Sequence, residues 1–307
     1  MATRAHTVPK FYLQGFTSTE SGSRGEPFVW VGSLTTGEIT RRSPKNLSIV
    51  RGFYDGQGGF AEATATIEAH LAKIESAAAV VIRTFAATRI GENAPIPQEV
   101  TRFLAWQAAR TPGWMELVAQ WANEGNLEST PEVVEPPPAG FEEVAVRNRP
   151  MCLEDPSTGL RRDVADADEF QGLRQKGWKW VLRQDDRLEL LHMQAWYFQV
   201  RHFPRLAWAR LEPSSGENFI ASDRGVSWLV DGHADTPPAA LRHATAEVIA
   251  PLTKKLVLMG RNTSNHSSLT PREVNARTAF SAARWIAGPT ELVVEQALAD
   301  RIDASPN

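Results

Sequence analysis

Near its amino terminus the chain reads His6-Thr7-Val8-Pro9-Lys10-Phe11-Tyr12-Leu13-Gln14-Gly15-Phe16, a histidine and a proline among large apolar residues. Proline fixes φ and lacks an N–H, which suits the first turn of a helix, and the sequence predicts a short helix from Pro9 to Gln14. Thr7 or His6 is placed to accept from the free amides there, and Gly15 offers a stop. Such a helix is too short and too apolar to stand alone. It has to plug into the rest of the protein, with His6 at the mouth of whatever it plugs.

The remaining elements follow from periodicity. Pro27 to Val31 and Gly37 to Thr40 read as a hairpin. From Ala61 to Ala87 the apolar positions Ile67, Leu71, Ile74, Ala78 and Ile82 recur at helical spacing. On that helix Glu68 and Glu75 lie two turns apart, a pair that suits either a divalent metal or a solvated flank. A second helix is expected from Gln98 to Asn123, kinked at Pro112, with Gln107 and Arg110 among aromatics on its apolar face. A guanidinium there needs a carboxylate or several carbonyls. It suits an anion clamp or a lock between helices.

The stretch from 127 to about 162 is acidic and proline-rich, with Pro136-Pro137-Pro138, and reads as an irregular surface insertion. Helices are expected over Asp166 to Gln184 and Arg187 to Arg201. Short strands follow at Arg205 to Leu211, Phe219 to Ala221, Val226 to Val230, Glu247 to Ile249 and Lys255 to Leu258. Two helices close the chain, Pro271 to Ala287 capped by Thr270, and Pro289 to Ile302. These elements give an α+β fold: a mainly antiparallel sheet from amino- and carboxy-terminal strands, packed on a central group of long helices, as a single domain over 1–307.

The pattern His6-x-x-Pro9-x-Phe11-Tyr12-Leu13-x-x-Phe16 resembles the opening motif of a bacterial family, domain of unknown function 4238. Three later stretches agree in order: Phe103-x-x-x-Gln107-x-x-Arg110-Thr111-Pro112, Phe219-Ile220-Ala221-Ser222-Asp223, and Ala250-Pro251-Leu252-Thr253 followed by Asn275. In the third the family usually has proline two positions after the aspartate. This chain has Gly225, so a different turn is expected. The resemblance implies no activity.

Composition narrows the function classes. With 307 residues and a net charge of −3, the chain lacks the polybasic footprint of a dedicated nucleic-acid binder. Cys152 is the only cysteine, so an internal disulfide and a cysteine-built zinc site are excluded. No secretory leader and no membrane-length apolar run is read, and a cytoplasmic location is expected. The histidines lack metal-ligand spacing, and neither a cofactor nor an oligomeric state is specified.

Two function classes remain. In the first, an enzyme acts on a phosphate-bearing substrate, a small molecule or nucleic acid, in the manner of a hydrolase or nuclease. Asp223 serves as metal ligand or general base, His6 as proton carrier, and Arg110 with Gln107 as charge stabiliser of a phosphate or carboxylate. Gln107, Ser222, Asn275 and Tyr12 are then the substrate-binding candidates, and Asn275 is expected to bond to the Ser222-Asp223 turn. In the second class, a ligand-binding or interaction protein, the same residues are structural and Asp223 receives Arg110.

Overall fold

The computed structural model describes residues 4–18, 20, 25–51, 61–88, 95–111, 151–164, 166–181, 191, 195, 198–230, 233–234, 245–262 and 269–303. Within these the fold is α+β, with every strand pairing antiparallel. The amino-terminal elements are β1 (Arg4–His6), α1 (Lys10–Gln14), β2 (Val29–Ser33), β3 (Ile39–Arg42) and β4 (Ile49–Arg51). Two long helices follow, α2 (Ala61–Ala87) and α3 (Gln98–Ala109). A small unit of β5 (Met151–Glu154), β6 (Arg161–Val164), α4 (Ala167–Gln175) and β7 (Lys179–Trp180) comes next. The last third holds β8 (Ala207–Leu211), β9 (Ala221–Ser222), β10 (Ser227–Val230), β11 (His233–Ala234), β12 (Ala246–Thr253), β13 (Leu256–Arg261), α5 (Pro271–Ser281), β14 (Trp285–Gly288) and α6 (Glu291–Asp303).

Two sheets organise the molecule. One has five strands in the order β11-β10-β12-β13-β8. Strand alternation divides its residues between two cores. Trp228, Val248, Ala250 and Leu258 join the main core with residues of α1, α2 and α3, whereas Leu229, Ile249 and Val257 pack with Phe219 and with Val274 of α5. The other sheet, β3-β2-β14-β9, joins strands from both ends of the chain. One of its faces is covered by α5 and α6, through Ile220, Ala279, Ile286, Val294 and Ala297. Gly32 is required here, because a Cβ would come within 2.8 Å of Val294 and Leu298.

The opening helix plugs the main core as expected. Tyr12, Leu13 and Phe16 are at most 1 % exposed, and α1 touches both α2 and β12. Its details differ from the sequence reading. Pro9 is the N-cap and no side chain caps the helix. Instead the Thr7 hydroxyl donates to Ser48 O at 3.2 Å. Gly15 has ordinary helical φ, and its value is space: a Cβ would lie 3.1 to 3.2 Å from the carbonyl oxygens of Tyr12 and Leu252. Lys254 N donates to Gly15 O, and Lys254 Nζ donates to Thr17 O, tying this segment to the β12–β13 turn.

Helix α2 has the bounds its periodicity predicts, with Leu71, Ile74, Ala78, Ile82 and Phe85 buried. Other boundaries need correction. Helix α3 ends at Ala109 with Arg110 as C-cap, and the expected kink at Pro112 lies outside the described residues. Of the expected insertion, 127–150 lies outside them too, while residues 151–164 form the β5–β6 hairpin. The helix expected to reach Gln184 stops at Gln175, since Gly177 takes φ 88° and the chain returns as β7.

The largest correction is β14. Ser-Ala-Ala-Arg-Trp-Ile-Ala reads as continuing helix because alanine favours one, yet α5 stops at Ser281 and Trp285–Gly288 pairs between β2 and β9. The cap at its other end is as expected: Thr270 and Glu273 form a capping box.

Glu247 of β12 ties the five-stranded sheet to α5 by bonding both Arg261 of β13 and Arg277 of α5. Glu247→Ala removes the carboxylate from two guanidinium groups, one of them only 9 % exposed. The expected loss is about 3 kcal/mol in urea unfolding.

Candidate functional site

The structure brings the opening segment, α3 and the turn after β9 together around one side chain. Gln107, fully buried, donates from Nε2 to Thr7 O at 3.0 Å. Its Oε1 accepts from Arg110 Nε at 3.0 Å and Nη2 at 2.7 Å. Gly225 packs on its other side, so closely that a Cβ there would lie 2.7 Å from Gln107 Cγ.

Arg110 is 2 % exposed, and its carboxylate is Glu75 of α2, with Nη1 donating to Oε1 at 2.6 Å. The expected pairing of Arg110 with Asp223 is therefore replaced by Glu75. Helical geometry explains the choice: Glu75 follows Ile74 and sits where the buried stripe of α2 meets solvent, so one carboxylate oxygen reaches in while the residue stays partly hydrated. Glu68, two turns earlier, has its carboxyl raised first by burial and next by Glu75, with Arg110 acting the other way. Between them the His70 ring packs at a tilt against Trp106, with centroids 5.2 Å apart. No cluster of metal-ligating side chains occurs among the described residues.

Asp223 has a different task. Its Oδ1 accepts from the backbone N of Ala283 and its Oδ2 from that of Arg284, each at 2.9 Å. This carboxylate holds the chain where α5 turns into β14. The turn itself is closed by Gly225 N donating to Ser222 O at 3.1 Å, with Gly225 at φ 69°. Proline cannot take that φ, so the turn as built excludes proline at position 225. Burial is the largest influence on the Asp223 carboxyl and raises it, against the two amide bonds and the neighbouring Arg224 and Arg284, which lower it.

Around Asp223 opens a cleft of about 700 Å³. Its floor is part of the sheet face opposite α5 and α6, the face that also gives Val29, Val31 and Ala287 to the main core. The pairings of Trp285 with Ser33, Val31 with Thr40, and Val29 with Arg42 put these residues on one side. Thr7, Ser48 and Thr111 stand on the walls. Ser48 is the described non-glycine residue with positive φ, 73°, and its hydroxyl donates to Val8 O at 2.7 Å. Three guanidinium groups, Arg42, Arg224 and Arg284, line the same cleft. None of the three forms an ion pair within 4.0 Å with another described residue, although Asp223 and Glu38 line the cleft as well. Arg224 is half-buried, and burial lowers its proton affinity while Asp223 raises it.

The residues singled out from sequence thus occupy different places. Asp223 is in the cleft wall. Gln107 and Arg110 lie directly behind it, next to Thr7 and Thr111. His6 is half-buried in β1 opposite Ile49. Ser222 is 1 % exposed on the helix-covered side of the sheet, opposite Ile286, and its Oγ bonds no described residue. Tyr12 is in the main core between Phe16 and Phe103, its phenol pushed far up by burial. Asn275 accepts from Ile220 N at 3.1 Å and donates to Asn218 O at 2.9 Å, a few residues short of the expected turn. Sequence reasoning passed over Arg42, Arg224, Arg284 and Trp285. The alternation in Ile39-Thr40-Arg41-Arg42 carries a signal for the first. Arg284 and Trp285 depend on β14 being a strand, and Arg224 on the turn between β9 and β10.

A family model described as protein of unknown function (DUF4238) matches residues 4–291. No curated protein and no solved structure matches.

Two outcomes follow from this geometry. Glu75→Ala leaves a guanidinium in the core without its carboxylate and lowers stability by about 3 kcal/mol, and a double-mutant cycle with Arg110→Met recovers part of that loss. For Asp223, folding raises the carboxyl above its ordinary 3.8, so the protonated form is favoured by folding. Its stabilising contribution is complete below 3.8 and is lost as pH rises through the higher folded value. A carbon-13 titration of this carboxyl is expected to show a midpoint above 3.8, and a midpoint below it contradicts burial as the dominant influence.

Proposed function

We propose that this chain, which belongs to the DUF4238 family, binds a phosphate-bearing anion in the cleft at the edge of Asp223. The observation that carries this reading is the convergence of Arg42, Arg224 and Arg284 without ion-pair partners among the described residues. Guanidinium groups present planar forks of donors that match phosphate oxygens. Thr111 brings a further hydroxyl to the lining, whereas the hydroxyls of Thr7 and Ser48 already donate to backbone carbonyls. Asp223 offsets part of this positive charge through Arg224 and Arg284, but its oxygens accept from backbone amides and it forms no ion pair with the three arginines. The core network of Gln107, Arg110 and Glu75 then acts as the rigid backing that holds Thr7 and the Gly225 turn in place.

A hydrolytic role is the second reading, favoured by one observation: Asp223 lines the cleft with a carboxyl whose proton affinity is raised. There Asp223 is the general base, His6 beside Thr7 carries the proton, and Arg110 acts through Gln107 as a positioning residue. In a phosphoester screen with divalent metals, turnover that disappears in Asp223→Asn supports it. Turnover unchanged in that variant sinks it.

Calorimetry with pyrophosphate tests the binding reading. Wild type is expected to bind, with affinity falling as salt rises. Arg224→Gln is expected to weaken binding about tenfold or more, the size of one charge-assisted hydrogen bond. A folded wild type that shows no heat at millimolar pyrophosphate overturns the proposal.

A further inference from the structure

Among the described residues, Trp285 is the aromatic one in the cleft lining. Strand β14 puts it on the cleft floor, where it is half-buried, packs against the main core and shares the cavity lining with Arg42, Arg224 and Arg284. Polar donors and guanidinium groups alone suit inorganic phosphate. An indole on the same floor adds a flat apolar surface for which a bare anion has no use. Glu38, also in the lining, makes no side-chain hydrogen bond to a described residue and offers two acceptor oxygens.

We propose that the ligand is a free nucleotide, its base stacked on Trp285, its phosphates held by Arg42, Arg224 and Arg284, and its ribose hydroxyls donating to Glu38. This inference rests on the reading of the cleft as an anion site. The three features ask for a planar ring, a polyanion and a diol in one molecule, and a nucleotide supplies all three. A cavity of about 700 Å³ is of the size that encloses one small ligand. A net charge of −3 and a carboxylate in the lining disfavour a polynucleotide, whose binding draws on an extended basic track.

Calorimetric titrations with pyrophosphate, ADP, GDP, ribose carrying a 5-diphosphate without a base, and a single-stranded oligonucleotide separate the possibilities. Either nucleotide is expected to bind roughly tenfold to hundredfold more tightly than pyrophosphate, the range of one base stacked on an aromatic ring. Trp285→Leu is expected to bring nucleotide affinity down to that of pyrophosphate measured on the same variant. Nucleotide affinity equal to that of pyrophosphate or of the base-free diphosphate overturns the nucleotide and leaves the anion site standing. This comparison needs only wild type, so it decides the matter even if the variant fails to fold. Tighter binding of the oligonucleotide overturns the choice of a free nucleotide. Absence of binding by every probe removes the anion site itself.

Discussion

A single buried guanidinium sets the terms for the packing of this protein. Arg110 ends a helix inside the main core, where an ionised group without partners is strongly disfavoured. Two residues answer it: Glu75 from the neighbouring long helix and Gln107 from its own. Because Gln107 accepts from Arg110 with its oxygen, its amide nitrogen is left to donate, and the acceptor it finds is Thr7 O. One charge thereby fixes the angle between α2 and α3 and the docking of the opening segment. The same Gln107 side chain also fills the space that Gly225 leaves by lacking a Cβ.

The four stretches that carry the family likeness are thus neighbours in space. The first contacts the second through Thr7 and Gln107, and the second contacts the third at Gly225. The fourth reaches the first where Gly15 meets the carbonyl of Leu252, and it reaches the third where Asn275 holds the backbone at Asn218 and Ile220. Such residues are explained by the joints they make. The cleft combines residues of those stretches, Thr7, Thr111 and Asp223, with residues that the likeness does not include, Arg42, Arg224, Arg284 and Trp285.

Asp223 connects the two levels. Its carboxylate converts α5 into β14 by taking both amides of the bend. The strand so formed completes the four-stranded sheet and delivers Trp285 and Arg284 to the cleft. A carboxylate that reads as an isolated catalytic candidate in the sequence is also the support of the wall around it.

Local rules were enough for α2, whose apolar stripe repeats over many turns, for the Thr270-Glu273 capping box, and for the hairpin of β2 and β3. The rules also showed that a charged residue among aromatics in α3 needed a partner, since that follows from solvation alone. They did not show which carboxylate would answer, because Glu75 and Asp223 both lie beyond the reach of any local rule, and only the packing of α2 on α3 chooses between them. They read Ala282 to Ala287 as helix, because alanine's intrinsic preference speaks for helix, whereas the edges of β2 and β9 and a carboxylate sixty residues away speak for strand. The sequence by itself determined the helical stripes, the caps and the need to neutralise Arg110, all of which depend on spacing or on single-residue chemistry. The tertiary structure alone decided the partner of that charge, the identity of β14 and the gathering of three arginines around one cleft, because each depends on distances between segments that the chain leaves free until it folds.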